Sequence, residues 1–165
     1  MSPLEADGRG PLLARLDAER DHVLTAVDGL DDEQLRRVLV PSGWSVAHLL
    51  NHLSYDDEIF WVQAVVAGDR EAIGQVRDGW RVPVTNGLQA VERYRAAVAR
   101  SREVLAPTDL EAAPPGWPPP AVVPFPAFSS NEECVLRVLT ETATHAGHLD
   151  IVRELIDGSQ HLVVG

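Results

Sequence analysis

Three ionisable side chains share one face of an amphipathic segment near the end of the sequence. Glu141, His145 and His148 recur at helical spacing within a largely apolar stretch. At about 100° per residue, both histidines lie within roughly 40° of Glu141. The same arc holds the apolar residues Val138, Val152, Leu155 and Ile156. Burying ionisable groups without partners is unfavourable, so we expect these three to bind polar partners or a metal ion.

A second amphipathic segment carries matching donors. His48 and His52 are one helical turn apart, and Tyr55 and Asp56 lie within about 60° of His52 on the same face. If the two segments pack together, imidazole nitrogens and carboxylate oxygens converge in an apolar cavity. Metal sites inside helix bundles are built in this way.

The spacing favours three protein ligands and an open position, as in catalytic zinc sites. Glu141 and His145 are four residues apart, which places two ligands on one helix face, and His52 would complete the set. Spacing alone also allows His48, His52 and His145, or His52, His145 and His148, as the ligands.

The remaining polar residues of these two faces are candidates for orienting a ligand or contacting the substrate. They are His48, Tyr55, Asp56 and His148. We assign catalytic roles to His48, Tyr55 and His148, with core packing as the alternative for Tyr55. The other two histidines of the chain fall outside this constellation, and we expect them to be ordinary surface or packing residues. They are His22 and His161.

Charge excludes several partner classes. The 165-residue chain has 25 acidic and 14 basic residues, a formal net charge of −11, and its basic residues are scattered. This balance disfavours nucleic acid and anionic membrane surfaces as partners. No apolar run is long enough to span a bilayer. Residues 1–7 lack the features of a signal peptide, and the single cysteine, Cys134, is expected to be a buried, inert thiol. A cytoplasmic location is therefore expected.

Four amphipathic segments with a period near 3.6 residues predict four long helices. A short helical turn is expected at 31–35, and residues 69–86 give no clear pattern but could hold another short helical turn. The predicted fold is an all-α four-helix bundle that forms one domain over residues 1–165. The long helices are expected at about 11–28, from Ser45 to about 68, at about 87–105, and from Ser130 or Asn131 to Gly158.

Residues 107–129 form the long connection before the last helix. This segment contains most of the prolines, including Pro118–Pro120, and therefore cannot be helical. A long loop in a small domain is often functional, which suggests a lid over one end of the bundle. The alternative is a stiff connector packed by Trp117, Phe125 and Phe128.

With these motifs in view, the sequence resembles the DinB superfamily, and within it the mycothiol-dependent branch of maleylpyruvate isomerase and mycothiol S-transferases. The resemblance rests on Gly43–Trp44–Ser45 leading into Asn51–His52–Leu53, and on residues 141–158. Carried over by motif position, it implies His52, Glu141 and His145 as metal ligands. Many relatives have histidine at the first paired position, so Glu141 matches the transferase and isomerase members better.

The resemblance also implies an activity. Such proteins bind a divalent metal, usually zinc, which holds the sulfur of mycothiol, and the thiolate adds to an electrophilic small molecule. The sequence ends shortly after the fourth helix, which favours a stand-alone S-transferase over an isomerase. A homodimer is also implied. Arg81, Arg137 and Arg153 could hold a substrate carboxylate, but none is assigned to the site.

Two other functions fit the same residues. A saturated metal site would indicate a non-catalytic metal-binding or ligand-binding bundle. A site of two His and one Glu with an open position could instead activate water, as in a metal-dependent hydrolase.

Overall fold

The computed structural model describes residues 9–161, and helices make up most of this range. Within it no β-strand forms, and the only β-type pairing is an isolated bridge between Val38 and Ser45. The sequence predicts that residues 1–7 are not part of a signal peptide. These residues lie outside the described range. In chain order the elements are α1 (Arg9–Val27), α2 (Asp32–Arg36), α3 (Val46–His52), a π-helix (Leu53–Val66), α4 (Arg70–Gln75), a 3-10 helix (Gly79–Arg81), α5 (Gly87–Leu105) and α6 (Asn131–Asp157).

Capping interactions fix the ends of the last two long helices. The Asn86 side chain accepts a hydrogen bond from the Gln89 amide at 3.0 Å and begins α5. Ser130 accepts one from the Glu133 amide at 3.4 Å and begins α6. Gly158 ends α6 in the left-handed conformation, at a φ of 77°, which glycine adopts without strain. The predicted bounds of both helices are confirmed.

The second long helix differs from the prediction in its winding. It begins after Ser45 as expected, but only α3 is α-helical, and from Leu53 the chain continues without a break as a π-helix. At its end, the Ala67 amide donates to the carbonyl of Val62, five residues earlier. Because π hydrogen bonds join residues five apart, side chains five positions apart lie above one another. The expectation of a uniform α-helix is therefore wrong, and the change alters which residues face α6.

Contacts between the helices place the candidate residues at one seam. Helix α1 packs along α6, and the π-helix packs against α4, α5 and α6. Helix α3 packs mainly against α5 and the 3-10 helix and has little contact with α6. The seam between the start of the π-helix and the middle of α6 therefore holds the site. Beyond it α6 turns partly to solvent, so Leu155, predicted on the buried arc, is instead 57 % exposed.

A buried ion pair ties α1 to the π-helix. The guanidinium of Arg20 donates two hydrogen bonds to the Glu58 carboxylate, at 2.8 and 2.7 Å. Both side chains are 1 % exposed. The parallel pair of bonds satisfies both charges, which would otherwise be very unfavourable in this interior.

The proline-rich connection packs against the end of the π-helix. The Gly116 amide donates to the Val65 carbonyl at 2.9 Å, and a Cβ at Gly116 would lie 2.1 Å from the Ala64 carbonyl oxygen. Trp61 and Trp117 pack with their ring centroids 5.8 Å apart. The segment has no helix, as predicted, and these contacts favour the packed connector over a lid. Two further rings join this cluster, those of Phe125 and Phe128.

The single cysteine belongs to the same core. Cys134 is buried, as predicted, and burial followed by the nearby Glu133 charge raises the pKa of its thiol to about 12. The thiol therefore stays protonated at neutral pH and is a poor nucleophile. Across residues 9–161, no helix has the length and apolar character needed to cross a membrane.

Candidate metal centre

Three donor atoms from two helices converge at the seam. His52 is the last residue of α3, whereas Glu141 and His145 lie one turn apart on α6. Glu141 Oε2 is 3.7 Å from His52 Nε2 and 3.6 Å from His145 Nε2, and the three donors all lie within 4.8 Å of one another. Two ligands bound tetrahedrally to zinc at about 2.1 Å are roughly 3.4 Å apart. The donors thus have nearly the spacing that one divalent ion requires.

A carboxylate orients the His52 ring. Asp56 Oδ2 lies 2.7 Å from His52 Nδ1, and both Asp56 oxygens accept from the Gly79 amide at 3.2 Å. With Nδ1–H donating to Asp56, the Nε2 lone pair points at Glu141 and is free to bind a cation. Carboxylates placed in this way behind a metal-binding histidine fix its tautomer and raise its basicity.

His145 is held in its neutral form. Its side chain is 12 % exposed, and its Nδ1 lies 3.2 Å from Nδ1 of His148. Burial, and then charge on His52 and His148, lowers the pKa of His145 to about 4, against a smaller opposing effect of Glu141. A neutral imidazole is the form that binds metal ions, so this ring is ready to act as a ligand at neutral pH.

Ring geometry separates this cluster from a second one. His22, Asp150 and His161 also bring three donor atoms within 4.8 Å, although His22 and His161 were expected to be ordinary surface or packing residues. Their two rings stack at 3.8 Å with planes 24° apart, whereas those of His52 and His145 meet at 74°. Imidazole lone pairs lie in the ring plane, so stacked rings cannot both aim at one ion. Among the described residues, the stacking of His22 on His161 therefore argues against the second cluster, and no such stacking joins His52 and His145.

Trp80 covers the outer side of His52. The two rings stack with centroids 4.5 Å apart and planes at 17°. Gly79 makes this approach possible, because a Cβ there would lie 2.5 Å from the Cα of His52. Sequence analysis missed both residues, since residues 69–86 showed no periodic pattern that would place them.

Asp57 is a third residue near the site that was not predicted from the sequence. It is 2 % exposed, and its Oδ2 has no hydrogen-bond partner among the described residues. This oxygen lies 3.8 Å from Nε2 of His52, on the side of the donor cluster. Burial, and then the charges of Glu141 and Glu58, raises the pKa of Asp57 well above its usual range. A buried carboxylate without a partner suggests a missing cation or proton donor.

Of the three arginines considered as clamps, Arg137 contacts the cluster. Its Nη2 is 3.7 Å from Glu141 Oε1, and its guanidinium lies 5.1 Å from the ring centre of Trp61. Arg81 is largely exposed and pairs with its neighbour in the 3-10 helix region, whereas Arg153 donates to backbone carbonyls at the end of α1. Arg137 is thus a cation at the edge of the site.

The three residues assigned catalytic roles lie in different environments. His48 Nδ1 accepts a hydrogen bond from the Ser45 amide at 3.3 Å, in the first turn of α3. The Tyr55 ring lies under the Arg93 guanidinium at 5.4 Å and packs in the apolar cluster beside α4 and α5. His148 contacts His145 but is exposed, because it lies outside the arc on which α6 buries Ala146, Leu149 and Val152. The prediction that His148 faces the core is therefore wrong.

Comparison with known proteins identifies the family. No curated protein matches this chain. A family profile described as Mycothiol-S-transferase matches residues 11–158, a range that includes all three residues of the donor cluster. Because this match covers most of the 165 residues, the chain belongs to the mycothiol S-transferase family.

Proposed function

We propose that this protein transfers a low-molecular-weight thiol, mycothiol, to an electrophilic small molecule, with a divalent metal ion held by His52, Glu141 and His145. The observation that carries this proposal is the convergence of three donor atoms, all within 4.8 Å of one another. Family membership supports mycothiol as the thiol. The short distances from Glu141 to both histidine nitrogens and the neutral His145 support metal binding.

The donor set suits zinc. Two imidazole nitrogens and one carboxylate oxygen are the ligands of many catalytic zinc sites, which keep a fourth position open for water or substrate. When bound, such an ion stabilises the thiolate form of a thiol at neutral pH, and the thiolate is the reactive nucleophile. The sulfur attacks an electrophilic carbon and a C–S bond forms, while the C–O bond of an epoxide or the π bond of an activated alkene breaks and the resulting anion takes up a proton.

The surrounding residues would prepare this chemistry. Asp56 holds the tautomer of His52, and His148 holds the ring of His145 in place. Trp80 shields one face of His52 from water, which strengthens electrostatic interactions inside the site. Arg137 is placed to bind an anionic group of the substrate beside Glu141. Roles for His48 and Tyr55 stay predictions from the sequence.

The finer architecture is also part of the proposal. We infer that α1, the joined α3 and π-helix, α5 and α6 form a DinB-like four-helix bundle, supported by the packing of α1 on α6 and of the π-helix on α5 and α6. Ile151 and Leu155, one turn apart on α6, are 62 % and 57 % exposed and would suit a homodimer contact. A cytoplasmic location agrees with the single buried cysteine.

Thiol conjugation by the metal-loaded enzyme tests the proposal. Protein purified without a metal-binding tag is loaded with zinc and incubated with mycothiol and a panel of bimane-type or epoxide electrophiles. We expect conjugation well above the uncatalysed rate, and loss of this activity after chelation. Conjugation at the uncatalysed rate for every electrophile contradicts the proposal. Thiol-independent hydrolysis of esters or amides would instead select a hydrolase, and metal binding without turnover a binding protein.

A further inference from the structure

A cavity of about 610 Å³ lies between the end of the π-helix, α4 and the proline-rich connection. None of the three proposed metal ligands lines it. Its lining residues on the π-helix lie at Phe60 and beyond, whereas His52 precedes that helix. Small-molecule sites in proteins typically have volumes of about 300–1,000 Å³. The cavity is therefore large enough to hold a small molecule and is separate from the candidate metal centre.

Backbone contacts hold the walls of this cavity in place. The Gly116 amide donates to the Val65 carbonyl at 2.9 Å, which fixes the connection against the π-helix. The lining segment Pro118–Pro119 has restricted backbone torsions. On the α4 side, Asp69 accepts a hydrogen bond from the Glu71 amide at 2.9 Å and begins the helix. A cavity with fixed walls loses little conformational entropy when a ligand enters it.

The lining is mostly apolar, and part of it is uncovered. Ile73 from α4 is 51 % exposed, and Val122 from the connection is 56 % exposed. The rings of Phe60 and Trp117 also line the cavity and are half-buried. Exposed apolar side chains that share a concave surface are typical of a site that buries an apolar group on binding.

Arg70 is the one charged side chain among the described residues that line the cavity. It is exposed, and it forms no hydrogen bond or ion pair with another residue in the described range. Arg100 on α5, in contrast, pairs with Asp69 and Glu103. Because the whole chain has a formal net charge of −11, it does not attract anions generally. A preference for an anion at this cavity therefore has to come from Arg70.

We propose that this cavity binds an amphipathic monocarboxylate, with its apolar tail against Phe60 and Ile73 and its carboxylate on the guanidinium of Arg70. A guanidinium binds a carboxylate through two parallel hydrogen bonds. An uncharged apolar molecule would leave Arg70 unpaired, and a hydrophilic anion would leave the apolar lining in water. A second anionic group on the ligand would find no cation in the cavity. This binding is separate from the proposed thiol chemistry and does not depend on it.

Equilibrium dialysis of the full chain with decanoate and with 1-decanol tests the charge recognition. The two probes have the same apolar tail, so the ratio of their dissociation constants reports the contribution of the carboxylate. We expect Arg70→Gln to shift this ratio against decanoate by about fivefold, near the upper end for an exposed ion pair. Arg95→Gln is the matched control, because Arg95 is exposed, pairs with Glu92 and does not line the cavity. It should keep the wild-type ratio, and an unchanged ratio in Arg70→Gln overturns the assignment.

A second variant tests the position of the site. Ala67 is exposed, lines the cavity and follows the end of the π-helix, so Ala67→Trp should fill the cavity without disturbing the core. We expect this variant to bind both probes about tenfold more weakly or worse, because each CH₂ group left in water weakens binding. Ala99→Trp, at an exposed position of α5, should bind them as the wild type does. Equal affinities in the two tryptophan variants contradict the proposed position.

Two further outcomes also overturn the proposal. Loss of decanoate binding after treatment with a chelator would place the carboxylate at the metal centre, whereas we expect chelation to change neither affinity. If the wild type binds neither probe, the cavity is not a site for this class of ligand. Conversion of a dimer into a monomer by Ala67→Trp in sedimentation would then show that the cavity is a contact between two copies of the chain. Each of these results leaves the proposed transferase function intact.

Discussion

Asp57 Oδ2 lies 3.8 Å from His52 Nε2, although the two residues are five positions apart in one continuous helix. In a regular α-helix, residues five apart point about 140° away from each other. The π-helical winding that starts at Leu53 brings them to the same face. The change from α-helical to π-helical winding thus brings an acidic side chain to the site. With α-helical winding throughout, Asp57 would point away from His52. Single π-turns are frequently found at functional sites.

Loss of a ligand should remove the metal. We expect His52→Ala and His145→Ala to contain no stoichiometric zinc, because two remaining donors leave the ion weakly held. Elemental analysis of the purified variants measures this. His22→Ala is the matched control, since His22 is partly buried and lies beside a carboxylate in the second cluster. Full zinc retention in both His52→Ala and His145→Ala would refute the ligand assignment.

The Asp56 carboxylate should tune the affinity for the ion. Asp56→Asn removes the charge that fixes the His52 ring, and residues in this position typically contribute about 10- to 100-fold to metal affinity. Competition with a chromophoric chelator measures the loss. Asp150→Asn is the control, because Asp150 holds His22 at 2.8 Å much as Asp56 holds His52 at 2.7 Å. Equal zinc affinity in both variants would count against a role for Asp56.

Gly79 should be intolerant of a side chain. Gly79→Ala places a Cβ 2.5 Å from the backbone of His52, and crowding of this kind typically destabilises a protein by about 1–3 kcal/mol. We expect a lower melting temperature and weaker stacking of Trp80, visible in its fluorescence. Gly74→Ala introduces the same methyl group in open space within α4 and should leave stability unchanged or slightly raised. Equal melting temperatures for the two variants would contradict this packing.

Stability of the metal-free protein should depend on pH through His145. The pKa of this residue is about 4 in the folded chain and near 6.5 when unfolded. Between pH 6.5 and 4, His145 is protonated in the unfolded chain but not in the folded chain. The free energy of unfolding therefore falls as pH drops from about 6.5 to 4 and then levels off. The titration of His145 lowers the free energy of unfolding by at most about 3 kcal/mol over this pH range.

Urea unfolding at several pH values measures this dependence. The free energy of unfolding of chelator-treated wild type is compared with that of His145→Gln, which lacks the titrating ring. The free energy of unfolding of the wild type should fall relative to that of His145→Gln from pH 7 to pH 4, because only the wild type loses this contribution. A constant difference over that range would show that His145 does not titrate as inferred.

Local sequence signals were sufficient to predict most of the helices. Capping residues such as Ser45 and Ser130, the closing Gly158 and a regular apolar period all act within a few residues, so they can be recognised in the chain itself. The convergence of His52 with the α6 pair was predictable for the same reason, because helical phase alone places those side chains on inward faces.

The parts of the site that were missed depend on long-range packing. Trp80 reaches His52 through a short 3-10 helix whose position is set by the fit of Gly79 against α3, and no local period marks such a contact. The position of Asp57 beside His52 was not predicted, because it depends on π-helical winding and no residue pattern in the sequence indicates that winding. His148 was predicted to face inward because the buried arc of α6 was centred on Glu141, whereas the buried residues Ala146, Leu149 and Val152 centre roughly 80° away from it.

The Arg20–Glu58 pair constrains how this chain can diverge. Removing either partner alone strands the other charge in the interior, typically at about 3–5 kcal/mol, a large part of an ordinary protein's stability. Replacing both with apolar residues of similar volume is often neutral. Homologous sequences should therefore keep both residues or exchange both, and a mutational route between those two states has to cross a poorly folded single mutant.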